Sequence, residues 1–176
     1  MAKPTTILIN KLREAASRIE SGADYSWGHV GKCNCGHLVQ TVTTFNQSEI
    51  YQKAREQTLD EWTEYANDYC DSSGASMDLV IDALFAIGVE VSDIHHLEYL
   101  SDRTVLAALP GGFRYLQKSN PRDVSLYMRT WAGVLEMEHY NNKKVLSPET
   151  IQSFTGTTST YAFPEVVPDT KACPSQ

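Results

Sequence analysis

"NPRDVSLYMRTWAGVLEMEH", residues 120–139, decides the fold class. Asn120 is a cap residue, and Pro121 suits the first helical position, where no backbone N–H is needed. Val124, Tyr127, Trp131, Val134 and Leu135 then recur at helical spacing, which predicts a long amphipathic helix with Trp131 turned inward.

The same signals repeat along the chain. Thr5 or Thr6 can cap a helix that carries Leu8, Leu12, Ala15, Ala16 and Ile19 on one face and stops at Gly22. "NQSE" (46–49) and "TLDE" (58–61) both have the spacing of a capping box. "MDLVIDALFAIG" (77–88) follows Ser76 as a cap and stops at Gly88. "SDI" (92–94) and "SDR" (101–103) each place a cap and an acid at a helix start, and "SPET" (147–150) opens a short last helix. Strand signals are few. "LVQTVTTF" (38–45) fits an alternating strand as well as a helical face. The expected fold is mainly α: a single compact, bundle-like domain of six to eight helices over residues 1–155. A Thr-, Pro- and Ser-rich irregular tail over 156–176 contains Cys173.

At 176 residues and 41% hydrophobic, the chain has the size of one globular domain and can bury a core without disulfides or a structural metal. No apolar run approaches the roughly 20 residues of a membrane span, and the N-terminal stretch lacks a secretory signal. The expected location is therefore cytoplasmic, with reduced thiols. A net charge of −7 argues against nucleic acid. The charge is uneven. Residues 56–102 hold twelve Asp and Glu and no Lys or Arg, including Asp60, Glu64 and Asp68 at helical spacing. Arg103, Arg114, Lys118, Arg122 and Arg129 follow, against Asp123 alone. Either these segments neutralise each other, or the acidic block is a face for a basic protein partner.

Chemistry-bearing residues concentrate in "YSWGHVGKCNCGHLVQ" (25–40). His29, Cys33, Cys35 and His37, with Cys70 or a histidine of the His95–His96 pair from further along, form a candidate set for a divalent metal, zinc being expected from nitrogen and sulfur donors. The set needs residues 33–37 extended. A helix starting near Cys35 would turn His37 roughly 200° away from it. The alternative is a hydrolase or transferase with Cys35 (or Cys33) as nucleophile, where a helix N-terminus and Lys32 favour the thiolate, and His29, His95, His96 or His139 acts as base. In setting a cysteine at a loop-to-helix junction, "WGHVGKCNCGH" resembles the papain-like peptidases. It lacks their Cys-Gly-Ser/Ala-Cys-aromatic signature, and a helical chain has no counterpart of their strand-rich half, so the chain is not assigned to them. The third reading is structural: three glycines shape a tight connection, and the cysteines fill the core.

"PGGFRYLQKSNPRD" (110–123) brings Arg114, Lys118 and Arg122 toward a helix N-terminus, which would suit a small anionic ligand. Neither a phosphate-binding glycine loop, a dinucleotide fingerprint nor a His-Glu-x-x-His pair occurs.

Overall fold

The computed structural model describes residues 1–58 and 78–145, with side chains over 1–52 and 82–144. Among the described residues there are seven helices and no strand. A compact unit spans Met1–Asn142; the unit that starts at Lys143 is described only as far as Val145. "SPET", the Thr/Pro/Ser-rich stretch, Cys173, Cys70 and the Asp60, Glu64 and Asp68 stripe lie outside the described residues.

Helix α1 (Thr6–Glu20) is capped by Thr5, whose Oγ1 accepts from Leu8 N–H and donates to the Ile87 carbonyl at 2.7 Å. One cap residue thus closes a local turn and fastens the helix to the chain leaving α4 (Asp78–Ala86). The expected stripe of Leu8, Leu12, Ala15, Ala16 and Ile19 is buried. Helix α7 (Pro121–Val145) starts where Asn120 and Pro121 place it, and Asn120 Oδ1 accepts from Arg122 N–H. Its buried face runs Val124, Tyr127, Met128, Trp131, Ala132, Leu135, with Trp131 only 3% exposed. Arg13 pairs with Glu136 at 2.6 Å, Arg129 with Glu20 at 2.5 Å, and His139 Nδ1 lies 2.7 Å from the Pro4 carbonyl. Numbers rise on one helix as they fall on the other, so α1 and α7 are antiparallel. These pairs are solvent-exposed and worth little energy, but they hold the register.

Helix α2 (Asn34–Val42) is the central element. All residues from Asn34 to Thr41 are buried, and it packs against α1, α3 (Gln47–Thr58), α4 and α5 (Val91–Tyr99). This settles "LVQTVTTF": residues 38–42 are helix, and Thr43 ends it by returning its N–H and its hydroxyl to the Val39 carbonyl.

Three helix starts differ from expectation or sharpen it. The 46–49 box forms in both directions, with Asn46 N–H on Glu49 and Glu49 N–H on Asn46. The 58–61 box lies outside the described residues, beyond Thr58, where the description of α3 ends. Helix α5 begins two residues earlier than "SDI" suggests: Glu90 is the cap, and Asp93 reaches back to its N–H at 2.9 Å. A helix does start at the second Ser-Asp pair, but its cap is Asp102 and not Ser101. Asp102 caps α6 (Arg103–Ala107) by accepting from Thr104 and Val105 N–H.

Candidate functional site

The 23–33 segment folds directly onto the first turn of α2. Gly28 and Gly31 have φ of 84° and 83°, and a Cβ on Gly31 would sit 2.7 Å from the Gln47 carbonyl oxygen. Gly36 faces Gly31 so closely that its own Cβ would lie 2.6 Å from the Gly31 carbonyl carbon. Only glycine fits at these contacts. Gln40 closes the joint by donating to the Gly31 and Gly36 carbonyls at 2.7 and 3.2 Å, and Arg18 of α1 donates to Gln40 Oε1.

Cys33 is the N-cap of α2 but its side chain makes no capping bond. Glu98, buried on α5, does the capping instead: its Oε1 accepts from Cys35 N–H at 2.7 Å. A carboxylate at a helix N-terminus is favoured by the dipole. It also places an anion where a cysteine thiolate would have drawn its stabilisation. Cys35 is 1% exposed, and its Sγ lies 3.8 Å from the Ile94 carbonyl. Asn34 Nδ2 donates to the Leu97 and Glu98 carbonyls, and Asn34 Oδ1 accepts from Tyr25 Oη–H at 2.6 Å. Trp27 Nε1 donates to the Glu98 carbonyl at 3.2 Å.

His37 lies in the core, stacked on Tyr25 with ring centroids 5.9 Å apart. Neither ring nitrogen makes a hydrogen bond of good geometry, and the Asp24 backbone is the polar group that acts on the ring most. Burial depresses its pKa; the Asp24 backbone and carboxylate pull upward, and Arg18 pushes further down. Burial likewise drives the Tyr25 hydroxyl pKa upward, helped by the nearby Glu98 carboxylate.

The helical start at Asn34 separates the expected ligands. Cys35 faces α5, while His37 faces Tyr25 on the other side of α2. His29 stacks on Tyr51, and its Nδ1 lies 2.8 Å from the Val30 carbonyl. Among the described residues, no three His, Cys, Asp or Glu side chains are grouped to hold a metal ion. His95 is exposed and stacked on Tyr99, and His96 Nδ1 meets Ser101 Oγ at 2.8 Å.

The cluster continues outward to the 110–119 loop, which the sequence marks chiefly by its charges. Tyr25 Oη–H also donates to the Lys118 carbonyl. The Lys118 ammonium lies 3.9 Å from the Trp27 ring centroid and 4.2 Å from that of Tyr99, a cation held between two aromatic faces. Asp123 accepts from Gln117 N–H, Asn120 N–H donates to the Gln117 carbonyl, and Arg114 donates to the Pro110 carbonyl. Of the three cations, Lys118 is engaged by the two rings and Arg114 by the Pro110 carbonyl, while Arg122 lies in the first turn of α7, where Asn120 Oδ1 accepts its N–H. Above these anchors Phe113 and Tyr115 form an edge-to-face pair, centroids 5.4 Å apart, 50% and 82% exposed. Two aromatics beside a Gly-Gly joint in an otherwise polar loop were the signal available in the sequence.

No described helix is long and apolar enough to cross a membrane. Comparison with protein-family models, curated proteins and solved structures finds no match.

Proposed function

We propose that the protein is a non-catalytic interaction module whose docking element is the 110–119 loop, and that it takes an acidic protein segment carrying an apolar anchor. The observation that carries this reading is the exposed Phe113–Tyr115 pair on a loop fastened at its base by Gln117 and Lys118. Aromatic and arginine side chains dominate binding energy at interfaces, and a pre-ordered loop loses little entropy on docking. Between Arg103 and Arg122 the chain carries four basic residues and no acid, within a protein of net charge −7. Among the described residues no ion pair neutralises Arg103, Arg114 or Arg122. The opposite arrangement, an acidic face at 56–102 for a basic partner, has less support. Asp93 and Glu98 are buried, and Asp102 is used as a cap.

The test is amide NMR of the full chain against short peptides rich in Asp and Glu, each with one Leu or Phe. Shifts confined to residues 111–118, and lost in a Phe113→Ser/Tyr115→Ser variant, are expected. No shift with any peptide, or shifts that survive the double substitution, would overturn the reading. Equal shifts with single-stranded oligonucleotides, which also stack on aromatics, would assign the loop to nucleic acid instead.

One observation favours a second reading. Helix α2 begins at Asn34, so Cys35 lies in its first turn, as a nucleophile would. Its burial and the Glu98 carboxylate weigh against that. The zinc reading would require ligands from outside the described residues, such as Cys70, and elemental analysis of protein prepared without chelator tests it.

A further inference from the structure

We propose that Trp27 and Tyr99 form a cage for a methylated lysine side chain of a partner protein, and that Lys118 is its stand-in within the free chain. The site lies at the base of the 110–119 loop and uses neither Phe113 nor Tyr115, so it goes beyond the docking reading and does not rest on it.

The two rings meet as a corner. Their centroids are 6.1 Å apart and their planes differ by 71°, and the Lys118 ammonium lies over both, at 3.9 and 4.2 Å. Each wall is fixed by its own element. Trp27 precedes Gly28, whose φ of 84° turns the chain, and its Nε1 donates to the Glu98 carbonyl at 3.2 Å. Tyr99 is the last residue of α5, and its ring stacks on His95 with centroids 4.7 Å apart. Walls already held in place lose little freedom when a cation arrives. Both rings are half-buried, which leaves the corner reachable from solvent.

The present occupant suits the corner incompletely. An ammonium carries three N–H donors and a tight hydration shell. Among the described residues, Lys118 Nζ has no carboxylate partner. The ring faces answer its charge but give no acceptor for its N–H groups. Methylation keeps the charge, removes donors and thins the hydration shell, so a cage made of rings alone favours a methylated ammonium over a bare one. A lysyl chain is the matching carrier, because one already delivers its cation to this corner.

Lys118 is able to yield its place. Its side chain is half-buried, and the loop keeps other fastenings when that side chain swings out. Gln117 N–H stays on Asp123, Tyr25 Oη–H on the Lys118 carbonyl, and Leu116 against the core. Lys118 thus competes in cis at an effective concentration of roughly millimolar. That competition sets a threshold, which a better-suited cation crosses and an ordinary lysine does not.

The probe is a short Gly/Ser peptide with one Nζ-trimethyl-lysine, titrated into the full chain and followed by NMR at the Trp27 indole N–H and the amides of residues 98–101. Lys118→Ala removes the competitor and should bind the probe several-fold more tightly than wild type. The unmethylated peptide should bind that variant about tenfold more weakly, and so should a peptide whose trimethylammonium is replaced by a neutral tert-butyl group. Tyr99→Leu removes one wall and should abolish binding, with unmoved amides from Val124 to Leu135 showing that the variant is folded. A Lys118→Ala chain that takes none of the three peptides, takes all three alike, or binds the probe no better than wild type overturns the proposal. Choline bound as tightly as the trimethyl-lysine peptide would overturn the assignment to a lysyl chain. Every readout holds in a Phe113→Ser/Tyr115→Ser background, so failure of the docking reading is told apart from failure of the cage.

Discussion

At Gly36 a Cβ would press on the Gly31 carbonyl carbon at 2.6 Å, and that backbone cannot retreat without unpicking the 26–33 turns. Gly36→Ala should therefore cost about 3 kcal/mol, read as a lower denaturation midpoint at unchanged slope. Gly133, inside α7, has nothing within 4 Å of where an added methyl would sit, so Gly133→Ala should raise stability by about 0.5–1 kcal/mol through helix propensity alone. His37 adds a pH term. Its pKa is lower in the folded chain than the ordinary value of about 6.5. The unfolded chain therefore binds the proton first. The stability is fully present above that value and is lost as pH falls through it toward the folded value. Melting temperature should hold steady above neutrality and decline below it, and His37→Phe should lessen the decline.

Elements with one buried face and one wet face were legible in the sequence. The Thr5 cap and the stripe of α1, and the cap, proline and face of α7, needed nothing but local spacing. Trp131→Ala should cost roughly 3–5 kcal/mol. Asp102→Ala, which strands two N–H groups at the start of α6, should cost about 1 kcal/mol by the same denaturation assay. Helix α2 was ambiguous for a physical reason: it is covered on all sides, so no polar face reveals its period. The candidate site was less legible still. Spacing gathered Cys33, Cys35 and His37, but the helical turn sends the last two to opposite sides. The residue that governs Cys35 is Glu98, far along the chain. Nothing near "CNCGH" announces that its neighbours will be Tyr25 and a carboxylate from α5.

Across the whole molecule, the arrangement is a buried polar joint that supports an exposed aromatic loop. Phe113 and Tyr115 are largely in solvent, so replacing both by Ser should leave the denaturation midpoint within about 0.5 kcal/mol of wild type while abolishing peptide binding. The joint itself, from Arg18 and Gln40 through Gly31 and Gly36 to Asn34 and Glu98, leaves Cys33 and Cys35 as interior packing residues. Alkylation of the folded protein at neutral pH, with each cysteine followed by mass spectrometry, addresses that assignment most directly. If the stretch is scaffold, Cys33 and Cys35 both label slowly, with or without chelator, until the chain unfolds. Rapid labelling of Cys35 in the folded protein, or labelling of the pair switched on by a chelator, would contradict it.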